Sequence, residues 1–160
     1  MMNIQIRPIE VNDKGWVASI LEKQWSSTSI ITREKSYQAD QLPGYIAFLD
    51  DKKVGLITYH IENDCEIITP DSFVQGKGIG TVLIEKVKET AKGRGCKRVW
   101  LITTNDNLEA LRFYQKRGFI LSALYPNALE QSRKLKPEIP ITGIDDIPLR
   151  DEIELEIKLT

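Results

Sequence analysis

The chain has 160 residues, 41% hydrophobic and 28% charged, with 22 basic against 23 acidic side chains, one histidine and two cysteines. That length suits one domain, residues 1–160, and the formal charge of −1 supplies no global basic field, which argues against nucleic-acid binding through bulk electrostatics. Cys65 and Cys96 form no Cys-x-x-Cys pair and have no histidine at ligand spacing, so neither a disulfide framework nor a metal site is suggested.

The start, Asn3-Ile4-Gln5-Ile6-Arg7, alternates like a strand, with Pro8 at its end, and lacks the continuous apolar core of a signal peptide. After Asn12-Asp13, Trp16, Val17, Ile20, Leu21 and Trp25 recur at helical spacing. Residues 26–41 show no clean period and read as a loop plus a short second helix. Tyr45 to Leu49, Val54 to Ile61 and Cys65 to Thr69 are three strands separated by Asp50-Asp51-Lys52 and Asn63-Asp64, which predicts an antiparallel meander. From Gly78 the period changes to helical through Ile79, Leu83, Val87 and Ala91, ending at Gly93-Arg94-Gly95.

Lys97 to Thr104 is a strand whose apolar centre, Val99-Trp100-Leu101-Ile102, expects cover on both faces. A short helix over about 107–117 and a strand through Tyr125 follow. Residues 126–150 hold four of the seven prolines around one helical stretch, Ala128 to Leu135; so long a connection is expected to be functional or disordered. Ile153, Leu155, Ile157 and Leu159 interleave with Glu152, Glu154, Glu156 and Lys158, which predicts a last strand with one buried and one wet face. No apolar run approaches the ~20 residues that span a bilayer, so a cytoplasmic protein with no membrane partner is expected.

The segment richest in chemistry is Gln75-Gly76-Lys77-Gly78-Ile79-Gly80-Thr81, between a strand and a helix. Its glycines let a ligand approach bare backbone at the positive end of a helix, which favours an anion such as phosphate. It lacks the Gly-Lys-Ser/Thr ending of a P-loop and the spacing of a dinucleotide fingerprint. Residues 77–98 carry a net charge of +5 and residues 145–160 a net of −4. The lysines at 86, 88 and 92 also suit the solvated face of an amphipathic helix. The acidic end could form a rim for a cationic amine, or be a solvated face.

Gln75-x-x-Gly78-x-Gly80 resembles the Gln/Arg-x-x-Gly-x-Gly/Ala signature of the GNAT family of N-acetyltransferases, whose loop cradles the pyrophosphate of acetyl-CoA. Asn107-x-x-Ala110-x-x-Phe113-Tyr114-x-x-x-Gly118-Phe119 is similar to the family's second motif and stands at the right distance. The resemblance implies an α/β (α+β) fold: a central, mixed, mostly antiparallel twisted sheet of six to seven strands with helices on both faces. It also implies an acetyl-CoA-dependent N-acetyltransferase that moves the acetyl group directly to a small-molecule or peptide amine, with no metal and no acyl-enzyme.

Within that resemblance Gln75, Gly76, Lys77, Gly78, Ile79, Gly80 and Thr81 bind the cofactor. Asn107 either bonds the pantetheine arm or caps its helix, with Asn105 a competitor for both roles. Tyr114 is the acid for the leaving sulfur or a core aromatic. Glu66 is the base, directly or through water, or else an exposed edge-strand carboxylate. His60 is held in reserve, and faces Glu66 if the turn between their strands has three residues. Trp25, Tyr37, Trp100 and Tyr125 are candidate acceptor-site aromatics. Pro70, where the family usually carries an apolar residue, leaves the strand's path beside the loop open. A homodimer is allowed by the sequence. The alternative function is a non-catalytic acyl-CoA sensor or partner-recruiting module of the same fold.

Overall fold

The computed structural model describes residues 3–73 and 76–160. In chain order the elements are β1 (Ile4–Pro8), α1 (Lys14–Trp25), β2 (Ser29–Thr32), β3 (Lys35–Gln38), β4 (Gly44–Leu49), β5 (Lys52–Ile61), β6 (Cys65–Ser72), α2 (Ile79–Gly93), β7 (Arg98–Thr104), α3 (Leu108–Lys116), β8 (Ile120–Tyr125), α4 (Ala128–Leu135) and β9 (Glu152–Lys158). Seven strands form one sheet in the order β1-β4-β5-β6-β7-β9-β8, while β2 and β3 pair separately. The pairs β1/β4, β4/β5, β5/β6 and β8/β9 are antiparallel, so the mostly antiparallel α/β architecture expected from the sequence is the one observed. The chain divides into two compact units: residues 1–30, 38–99 and 159–160 make the first, and residues 31–37 and 100–158 the second.

The first unit is built on the meander. Leu49 pairs with Lys52 across Asp50-Asp51, whose φ values of 50° and 67° make a two-residue turn of the kind that matches strand twist. Ile61 pairs with Cys65, so the next turn has three residues and His60 does lie opposite Glu66. Between the pairs Thr58/Thr69 and Tyr59/Ile67 the register shifts, leaving Ile68 as an extra residue in β6. The strand then continues past Pro70 through Ser72, which pairs with Gly55, and Phe73 N–H donates to Val54 O at 2.8 Å.

Gly55 shows which face α2 covers, since a Cβ there would meet Ile79 Cγ2 at 2.7 Å and Leu83 Cδ1 at 3.0 Å. Strand alternation then turns Leu56, Thr58 and His60 to the opposite face, and their partners Asp71, Thr69 and Glu66 with them. The end of α1 lies on that second face, where Trp25 Nε1 donates to the Asp71 carboxylate. Leu21, Ile46, Leu56, Ile57, Leu83, Val87 and Val99 are fully buried and form the core.

Within residues 26–41, expected as a loop and a short helix, a single 3-10 turn, Ala39–Gln41, follows the hairpin β2/β3, which takes most of the length. Its turn residues Arg33 and Glu34 adopt φ of 48° and 65°, a left-handed pair normally signalled by Asn-Gly, and that signal is missing. A tertiary anchor compensates: the Arg33 amide and guanidinium both reach the Glu152 carboxylate at 3.3 Å, and the guanidinium lies 3.4 Å over the Tyr125 ring.

In the second unit, residues 126–150 are ordered. Arg133 donates to the carbonyls of Ile139, Pro140 and Leu149, while Asn105 holds residues 148–151 through Pro148 O and the amides of Arg150 and Asp151. Buried Asp106 accepts from Ile144 N–H at 2.8 Å, with Gly143 packed so close that a Cβ would stand 2.7 Å from Asp106 Cγ. The wet face expected for β9 is also corrected. Glu152 and Glu154 are buried, with Glu154 accepting from Ser122 Oγ at 2.7 Å. On the outer strand β8, Ile120, Leu121 and Leu124 are each more than half exposed.

Candidate functional site

Within the glycine segment, Gly76 and Gly78 both adopt left-handed φ, 75° and 73°, and a Cβ at either position would meet no atom of the other described residues within 4 Å. Their glycines therefore answer the backbone's conformation, while the space before them stays open. Gly78 is the N-cap of the 15-residue α2 and supplies no side-chain cap. The first-turn amides thus present the positive end of a long helix at an exposed loop, an arrangement suited to phosphate oxygens. Ile79 is 1% exposed, so its side chain belongs to the core and only its backbone can serve a ligand. Gly80 and Thr81 follow in the first helical turn. Gln75 lies outside the described residues.

The basic charge near the loop is less concentrated than its sum suggests. Lys86 and Lys88 pair with Glu89 and Glu85 at 3.7 and 3.2 Å along the helix, and Arg98 pairs with Asp64 at 3.5 Å. These pairs bear out the solvated-face reading for Lys86 and Lys88. Lys77 stays exposed within the loop itself.

Glu66 is 3% exposed on the inner strand β6, which removes the exposed edge-strand alternative. It shares its face with His60, with the buried Thr58 and Thr69, whose hydroxyls hydrogen-bond to each other, and with Asp71. A file of polar groups on a buried sheet face is costly unless each is satisfied, and such files are commonly functional. Asp71 was not singled out by sequence reasoning. Both its oxygens accept from Trp25 Nε1, at 3.1 and 2.9 Å, and burial pushes its carboxyl up from the ordinary 3.8 to about 6, the indole bond opposing the rise. The available signal was an acidic residue directly after Pro70, in a strand that continues past the proline.

Cys65 is fully buried, and burial, reinforced by the neighbouring Cys96, Glu66 and Asp64, pushes its thiol up to about 12. Burial also raises the thiol of Cys96. Neither is a thiolate at neutral pH, the form a nucleophile needs. Among the described residues no group of three or more His, Cys, Asp or Glu side chains could hold a metal ion, and no helix is long and apolar enough to cross a membrane.

In the second unit, Tyr114 on α3 is 5% exposed and packs edge-on against Phe113 and Phe119, with ring centroids 5.2 and 5.4 Å away. It is a core aromatic by packing. Asn107 caps α3, its Oδ1 accepting from Ala110 N–H at 3.1 Å. Capping uses the oxygen alone and leaves the amide NH2 group free of that duty. Asn105 competes for neither role, because its side chain is spent on residues 148–151. Tyr125 lies beneath Arg33 and donates to Glu154 at 3.4 Å. With Glu152 and Glu154 turned inward, the acidic rim drawn from the −4 segment loses two of its members.

The profile of the acetyltransferase (GNAT) family matches residues 13–119. An uncharacterized protein, YxbD of Bacillus subtilis (strain 168), is 49% identical over 144 residues, covering 89% of this chain and 91% of that protein. Among solved structures, an IAA acetyltransferase from Bacillus cereus ATCC 14579 superposes with a TM-score of 0.71 at 23% identity, over 98% of this chain and all of that one. A GNAT family acetyltransferase from Elizabethkingia anophelis, solved with acetyl-CoA bound, gives a TM-score of 0.70 at 20% identity, over 98% of this chain and 99% of that one.

Proposed function

Since the chain belongs to the acetyltransferase (GNAT) family, we propose that it transfers the acetyl group of acetyl-CoA directly to the amine of a small-molecule or peptide acceptor. The observation that carries this reading is the loop before α2: two left-handed glycines, open space before them, and a helix N-terminus without a side-chain cap. The proposal treats residues 1–160 as one N-acetyltransferase domain, with Gly76 to Thr81 receiving the pyrophosphate through backbone amides, Lys77 adding charge, and Gln75 and Asn107 contributing to cofactor binding. Structures solved with acetyl-CoA bound are among those that share the fold.

The chemistry assigns three tasks. An ammonium with an ordinary pKa near ~10.4 must lose a proton before it can attack. Glu66, buried on β6, takes that proton directly or through a water. The amine nitrogen then bonds to the thioester carbon, a backbone amide of β6 steadies the oxyanion, and the carbon–sulfur bond breaks. Tyr114 protonates the departing sulfur. Direct transfer is supported by the raised thiols of Cys65 and Cys96, since neither offers a thiolate to carry the acetyl group.

Thermal denaturation with acetyl-CoA and CoA, followed by thiol release across an amine panel, tests the reading. A rise in melting temperature with both ligands, plus thiol release with at least one amine, is expected. No shift overturns the reading, and a shift without turnover on any amine replaces it with a sensor.

A further inference from the structure

The polar file on the inner face of β5 and β6 has an accessible end and a closed end. Glu66, beside His60, is at the closed end, 3% exposed; the paired hydroxyls of Thr58 and Thr69 come next; Asp71, across from Leu56, is half-buried at the other end. Along a strand that rises about 3.3 Å per residue, and with Ile68 taken up by the bulge, Glu66 and Asp71 stand ~13 Å apart on one face.

Asp71 is oriented by α1. Among the described residues the Trp25 indole N–H, shared between both carboxylate oxygens, is the donor it receives, and Trp25 is itself 36% exposed. A carboxylate has about four acceptor positions and one N–H cannot fill them, so this group is fixed in place while retaining capacity for further donors. Its partner across the sheet is the apolar Leu56 rather than a cation. A partly desolvated acid held by an indole, with no basic side chain among the described residues bonded to it, is costly as a structural tie, because a neutral acceptor would hold α1 equally well.

We propose that Asp71, oriented by Trp25, is a specificity-determining residue that binds a positively charged group of the acceptor, selecting amines that carry a second cationic centre. This rests on the acetyl-transfer reading. The ammonium or guanidinium supplies the donors that the indole leaves unmatched, and the ~13 Å of strand separates this anchor from the Glu66 end, where the reacting amine gives up its proton. At neutral pH a carboxyl with a pKa of about 6 is mostly ionised, as the role requires.

The test uses the full chain and matched probes of similar length that differ in the charge at the far end: 1,9-diaminononane, whose nitrogens reach about 12 Å apart, against 9-aminononanoate, and Lys-flanked against Glu-flanked peptides bearing one reactive lysine. The wild type is expected to favour the cationic member of a pair by at least about tenfold in kcat/KM, the scale of a charged hydrogen bond. Asp71→Asn keeps an oxygen for the indole and removes the charge. It is expected to raise KM for the cationic probe about tenfold or more and shrink the preference to about twofold, with kcat and the acetyl-CoA KM little changed.

Trp25→Phe, which leaves the carboxylate unaimed, is expected to shift KM in the same direction by less. An unchanged preference in Asp71→Asn, a wild type with no preference, or CoA binding with no cationic amine acetylated overturns the proposal. In the first two outcomes acetyl transfer itself stands. Loss of the CoA-induced thermal shift in wild type would instead remove the underlying reading together with the proposal. An unfolded Asp71→Asn is recognised by its own melting curve, and Trp25→Phe with the wild-type probe ratio then decides.

Discussion

Tyr114 sits among aromatic rings, and its hydroxyl is the single polar atom it brings to that cluster. Deleting that atom leaves the packing intact, so Tyr114→Phe is expected to lower kcat by about 10- to 1,000-fold with the acetyl-CoA KM nearly unchanged, as befits an acid acting only in the transition state. Steady-state kinetics with both substrates varied would show this; wild-type kcat would leave Tyr114 a core aromatic alone. Asp13 offers a stability counterpart. It is 4% exposed and held by Arg7 at 2.6 Å, and that bond together with the Glu10 amide and the charges of Arg7 and Lys53 lowers its carboxyl from the ordinary 3.8 to about 2. Because the folded pKa lies below the unfolded one, the stabilisation is complete above about pH 4 and is lost as pH falls toward 2. Discounted for the partial exposure of Arg7, Asp13→Asn is expected to cost ~1–2 kcal/mol at pH 7 and almost nothing at pH 2, by chemical denaturation at both pH values.

At the scale of elements, turns decide how much of the fold was legible. Asp50-Asp51 and the segment around Asn63 announce themselves chemically, so the meander follows from the sequence, whereas the His60/Glu66 register hangs on the turn length and is decided by the pairing of Ile61 with Cys65. Arg33-Glu34 makes the same kind of turn without the usual residues, held by Glu152 from far along the chain, and no local pattern encodes such a partner. The 126–150 connection was opaque for a related reason: its order comes from Arg133, Asn105 and Asp106, polar side chains whose bonds are tertiary. The candidate site divides likewise. The glycine loop is a local motif and could be read, whereas Asp71 gains its character from an indole 46 positions away. One prediction belongs here. Replacing Asp50-Asp51 with Asn-Gly suits φ values of 50° and 67° and should stabilise the protein by ~0.5–1 kcal/mol, measured by denaturant midpoint.

For the whole molecule, the formal charge of −1 is a cancellation between a basic middle and an acidic end, and much of each is spent internally. Acetyl-CoA is polyanionic, so its affinity is expected to fall several-fold between about 50 and 300 mM salt, and Lys77→Ala should flatten that dependence; a titration series in salt measures both. A single domain would unfold in one transition, with fluorescence and circular dichroism coincident. The open space around Gly76 and Gly78 has a consequence for heredity. No neighbouring atom among the described residues demands glycine at either position, and the left-handed φ makes other residues moderately costly. A library selected only for abundance should therefore admit asparagine and similar residues there, while one selected for acetyl-CoA use should retain glycine. The constraint on these two codons would come from a molecule the gene does not encode.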